Sequence, residues 1–145
     1  MTCNLTMMLI SETQEGEIGD DWKYEISAKV FNDKLEGEAT VSVPKHNLPS
    51  GVVREPYGSP APITLFSGGC SGELLVRLQL KATEVDMFVN DVGRTEKDLR
   101  IECPGPGGGK VTKEVDLAAG VRESPGIVPK TAVFTARIRF TLACE

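Results

Sequence analysis

Strict alternation of apolar and polar side chains runs through this chain, and no other feature constrains its fold so tightly. Trp22, Tyr24, Ile26, Ala28 and Val30 alternate with Lys23, Glu25, Ser27 and Lys29. A period of two puts one set on each face of a pleated strand, whereas a helix needs apolar residues three and four apart. The rhythm recurs over residues 37 to 43, with Ala39, Val41 and Val43 on one side, and over 73 to 80, with Leu74, Val76, Leu78 and Leu80. Ala132, Phe134, Ala136, Ile138, Phe140 and Leu142 carry it past the length of an average strand, which predicts a bend or bulge in that segment. Weaker strands are predicted over 3 to 11, 62 to 66, 98 to 103 and 110 to 118, each bounded by Gly, Pro, Asp or Asn. No stretch has the spacing of a helix.

About eight strands with no helices between them predict an all-β fold, an antiparallel β-sandwich with Greek-key-like connections. With 145 residues, one domain spanning 1 to 145 is expected. Trp22, Tyr24, Ile26, Val76, Leu78, Phe134, Ile138 and Phe140 are the predicted core, since each lies on the apolar side of an alternating run. Residues 44 to 61 hold Pro44, Pro49, Pro56 and Pro60, with Pro62 just beyond, and predict a stiffened surface loop carrying His46, Arg54 and Tyr57. Between Leu80 and Val85 the apolar parity switches without a tight-turn residue at 81 to 84. That predicts one bent strand over 73 to 90, with a bulge in it.

A formal charge of −5 gives no basic footprint for nucleic acid or an anionic membrane. No apolar run reaches the length of a transmembrane segment, and the start of the chain lacks the signature of a signal peptide, so a soluble protein is expected. Cys3, Cys70, Cys103 and Cys144 are too widely spaced for a zinc knuckle. Disulfides and reduced, buried cysteines both remain open: Cys3, Cys103 and Cys144 fall on the apolar parity of their strands. Asn4-Leu5-Thr6 matches a glycosylation acceptor by chance, within a predicted strand.

Gly68-Gly69-Cys70-Ser71-Gly72 has the small residues of a cysteine nucleophile elbow, with His46 as the sole imidazole base. An elbow joins a strand to a helix, and Cys70 instead precedes a strand, so a glycine-rich turn is the better reading. The run Pro104-Gly105-Pro106-Gly107-Gly108-Gly109-Lys110 fails as a phosphate loop, because Val111 stands where the magnesium-binding hydroxyl belongs. Carboxylates gather in two places. Glu15, Glu17, Asp20 and Asp21 precede the strand at Trp22, and Asp86, Asn90 and Asp91 surround Met87-Phe88-Val89. Calcium takes six to eight oxygens in flexible geometry, which such loops can supply. Asp and Asn-Asp are equally good turn formers, so the same residues also read as plain turns.

The segments Gly19-Asp20-Asp21-Trp22-Lys23-Tyr24 and Asp86-x-x-x-Asn90-Asp91-x-Gly93 resemble the two aspartate-bearing loops of the calcium- and phospholipid-binding β-sandwich first named in protein kinase C. The resemblance implies an eight-stranded sandwich holding calcium at one end, through Asp20, Asp21, Asp86, Asn90 and Asp91. The second loop lacks that family's closely spaced aspartate pair, and the acidic chain has no basic lipid patch, so phospholipid is not part of the expectation. If 73 to 90 is one strand, the loops at 12 to 21 and 90 to 97 share an end of the sandwich. The expected function is a non-enzymatic binding module, calcium-stabilised, whose end loops recognise a protein partner or a glycan. The alternatives are a cysteine hydrolase using Cys70 and His46, and a metal-free structural or inhibitory protein acting through an edge strand or the proline-rich loop.

Overall fold

The computed structural model describes residues 1–123 and 130–145. Its strands are β1 Cys3–Gly16, β2 Asp21–Asn32, β3 Lys34–Asn47, β4 Val53–Arg54, β5 Ile63–Gly68, β6 Glu73–Glu84, β7 Asp91–Glu102, β8 Gly109–Arg122 and β9 Thr131–Cys144. That is one more than the sequence predicts, the addition being the two-residue β4 inside the proline-rich loop. All pairings are antiparallel. One sheet runs β4-β1-β9-β8, with β5 also on β1, and the other runs β3-β2-β6-β7. Pairing of β6 with β2, and of β9 with β1, makes the Greek-key-like crossovers of a sandwich.

The inner faces of the two sheets share one apolar core, and every residue predicted for it is buried. Trp22 and Phe134 meet across the sheets with ring centroids 5.5 Å apart, and Tyr24 lies 4.7 Å from the same Phe134. Outer faces carry cross-strand ion pairs such as Arg77–Asp98, Arg137–Asp116 and Arg139–Glu114, half-exposed and so of small energetic weight.

Several boundaries differ from the sequence reading. The bent strand expected over 73 to 90 does not form: β6 stops at Glu84, residues 85 to 90 turn, and β7 begins at Asp91. Leu74, Val76, Leu78, Leu80, Ala82 and Glu84 face inward without a break in parity, so no bulge is needed at 81 to 84. The turn chemistry lies further on. Asp86 Oδ1 accepts the Met87 N–H at 2.5 Å, and Asn90 Oδ1 accepts the Asp86 N–H at 3.2 Å. The strand expected at 98 to 103 starts at Asp91 because Arg94, Glu96, Lys97 and Asp98 obscure its alternation on a sheet edge. Gly93 fits there because a Cβ would stand 2.4 Å from the Gly120 carbonyl oxygen of β8. The loop predicted to begin at Pro44 begins after Asn47, Pro44 being tolerated on the edge strand β3.

The bulge predicted for β9 lies on its partner. Leu9 pairs with Ile138 and Ser11 with Arg137, so Ile10 is the extra residue, in β1. Before it Cys3, Leu5, Met7 and Leu9 face inward, and after it Glu12 and Gln14 do. A second shift separates the pairs Trp22–His46 and Tyr24–Val43, where β3 holds two residues against one in β2. This passes the inward direction from Val43 to His46. The two bulges therefore turn Glu12 and His46 toward the same interior.

Candidate functional site

Glu12 is fully buried and receives donors on both carboxylate oxygens. Oε1 accepts the Tyr24 hydroxyl at 3.0 Å and the Tyr57 backbone N–H at 2.9 Å. Oε2 faces His46 Nε2 at 2.5 Å and Arg54 Nε at 3.4 Å. His46 presents Nδ1 to the Pro44 carbonyl at 2.8 Å. Tyr57 stacks on the imidazole with centroids 4.6 Å apart and planes at 5°. Arg54 also donates to the Asn47 carbonyl. Burial first, and then the Glu12 carboxylate, push the Tyr24 phenol upward, so it remains a protonated donor. One buried carboxylate thus fastens the proline-rich loop to the sandwich, and donors meet the cost of its burial. Glu12 carried no sequence signal, because its inward direction depends on the bulge at Ile10.

Directly above this cluster is the end of the sandwich where the acidic loops meet. Trp22 pairs with Glu84, and Glu84 with Asp91, so β2, β6 and β7 all have their ends there. Val85 N donates to the Asp21 carbonyl at 2.7 Å, and Leu48 N to the Asp20 carbonyl at 2.6 Å. The Gly19 carbonyl accepts both Trp22 Nε1 at 3.0 Å and Gln14 Nε2 at 3.3 Å. Asp20, Asp21, Asp86 and Asn90 are exposed, while Asp91 is buried. The acidic segments share an end as expected, but through a turn at 85 to 90 rather than through a bent strand leading into a loop at 90 to 97.

Glu84, which is not among the sequence-predicted site residues, occupies the middle of this group. It is buried, and its Oε2 has no hydrogen-bond partner. Its Oε1 lies against Gly19, where an added Cβ would stand only 2.2 Å away. Loss of hydration, followed by the nearby charges of Asp86, Asp91, Asp21 and Glu123, pushes the Glu84 carboxyl up to about 7. Its signal in the sequence was parity, since Glu84 continues the inward series from Leu74 to Ala82. Among the described residues, no three His, Cys, Asp or Glu side chains converge closely enough, as placed, to hold a metal ion.

Cys70 and His46, the residues of the hydrolase alternative, are not brought together. Cys70 is bonded to Cys103, beside the pairing of Glu73 with Glu102, whereas His46 is level with Trp22 and Glu84 at the far end of β6. The strand rise puts about 35 Å between those levels. Cys70 therefore has no thiol to act as a nucleophile. The second disulfide joins Cys3 to Cys144, which stand opposite each other in register, and no cysteine is free. Asn4, on the outer face of β1, accepts the Ser67 hydroxyl at 2.5 Å.

The fold and its acidic end define the protein as an antiparallel β-sandwich with an anionic loop cluster. No family model, curated protein or solved structure matches the chain. No helix among the described residues is long and apolar enough to cross a membrane.

Proposed function

We propose that this protein is a non-enzymatic binding module whose acidic end takes up a divalent cation, calcium being the best fit to an all-oxygen donor set. The observation that carries this reading is Glu84: a buried carboxyl whose Oε2 lacks a partner, in the field of Asp21, Asp86, Asp91 and Glu123. Such a group is costly to keep ionised in the apo protein, and a cation removes that cost. Asp20, Asp86 and Asn90, on exposed loop segments, and Asp21, exposed at the first position of β2, can rotate inward to complete a coordination shell. The two disulfides fit an oxidising compartment, where calcium is available to weak sites.

Thermal melts in calcium and in chelator test the reading. A site with a Kd near 0.5 mM, in the range of extracellular modules, contributes about 1.4 kcal/mol at about 5 mM calcium and raises Tm by about 3 to 5 °C. Near pH 7 the ion should also displace a proton from Glu84, seen as a calorimetric heat that changes with the buffer's ionisation enthalpy. Identical melts in calcium and chelator would show the acidic loops to be ordinary turns.

A further inference from the structure

The turn joining β6 to β7 is held by polar groups and tipped by apolar ones. Asp86 and Asn90 close it through their hydrogen bonds to the Met87 and Asp86 amides. Met87, Phe88 and Val89 between them serve no such purpose: Met87 and Phe88 are each 88% exposed and Val89 is 44% exposed. A turn needs small or polar residues at its apex, so three consecutive large apolar side chains in water call for a partner that covers them. The collar beneath is anionic, with exposed Asp86 at the foot of the tip and exposed Asp20 and Asp21 beside it, where the Val85 N–H bonds the Asp21 carbonyl.

From this juxtaposition we infer that the 85 to 90 turn is a docking tip, with Phe88 and Met87 as anchors, for a protein surface offering an apolar pocket rimmed by Lys or Arg. Charge complementarity selects that occupant. A second copy would bring one anionic collar against another, and an anionic lipid surface would repel the collar. Aromatic side chains at the centre of a contact carry most of its energy, while the charged rim sets orientation and encounter rate. The collar shares its carboxylates with the proposed cation site, so docking is tested in chelator, which leaves the collar charged and keeps its failure separate from that of the calcium reading.

The probe is a fluorescein-labelled amphipathic peptide with leucine on one face and lysine on the other, compared with the same peptide carrying glutamate for lysine. Fluorescence anisotropy should show the lysine peptide binding and the glutamate peptide not. Binding should weaken about tenfold in Phe88→Ser and also as salt rises from about 50 to about 300 mM. Because Phe88 is outside the core, the variant should melt with the wild type, which keeps loss of binding distinct from loss of fold. Absence of binding, equal binding by Phe88→Ser, Phe88-dependent flotation with phosphatidylcholine vesicles or Phe88-dependent self-association in sedimentation would each overturn the assignment.

Discussion

Glu84 gives the clearest link between one side chain and the behaviour of the molecule. Its carboxyl ionises near 4.5 in an unfolded chain and at about 7 in the folded one. Below 4.5 it is protonated in both states and has no effect. Between 4.5 and 7 the unfolded chain gives up the proton while the folded protein retains it, so stability falls as pH rises. Above 7 the loss is complete, at about 3 kcal/mol. Glu84→Gln should therefore be the more stable protein at pH 8 in chelator, its advantage over wild type growing from pH 5 to 8 and disappearing near pH 4. Denaturant melts across that range check the sign. Parallel curves for the two proteins would show that Glu84 is well hydrated. The same variant should lose the calcium-dependent rise in Tm, because the relieved charge was the source of that rise.

Bulges do at the scale of strands what Glu84 does at the scale of a side chain. Ile10 is an extra residue in β1, and the ladder on either side of it is regular. Deleting Ile10 should leave Leu9 opposite Ile138 and Ser11 opposite Arg137, with Glu12 still directed inward, at a cost of about 1 kcal/mol. Deleting Thr141, in the regular β8–β9 ladder, should instead shift Leu142 and Cys144 out of register with Val111 and Gly109 on one side and with Leu5 and Cys3 on the other, and prevent the folded state. Comparable melting of the two deletions would contradict the register. Phe140 tests the core face of β9: it is fully buried opposite Met7, and Phe140→Ala should cost about 3 to 5 kcal/mol in urea unfolding. The predicted strand centres are all present, because alternation is strongest where both neighbours are paired. Strand ends are least legible at β7, whose edge position lets charged residues occupy most of both faces.

Across the whole molecule, the two disulfides restrain the chain on very different spans. Cys3 and Cys144 are 141 residues apart and join β1 to β9, while Cys70 and Cys103 are 33 apart and join the starts and ends of β6 and β7. Loop-closure entropy assigns about 5 kcal/mol to the first and about 4 kcal/mol to the second. Replacing Cys3 and Cys144 by serine should lower Tm more than replacing Cys70 and Cys103, and reductant should lower it most. The opposite order in thermal melts would mean that the β5–β6 and β7–β8 connections depend on their bridge more than the terminal strands do on theirs.

Period-two alternation, turn residues and ordinary apolar content were sufficient to determine an antiparallel sandwich and its core, since each is a property of near neighbours that any observer of the chain can read. The acidic segments were visible for the same reason. Tertiary structure alone decided that Glu12 meets His46, that Glu84 belongs with Asp21 and Asp91, and that each cysteine has a partner. Those contacts depend on which residue is extra in a ladder and which strands lie side by side. A shift of one residue reverses the face of everything beyond it, and pairing between distant segments is settled by the packing of the whole core rather than by any local stretch.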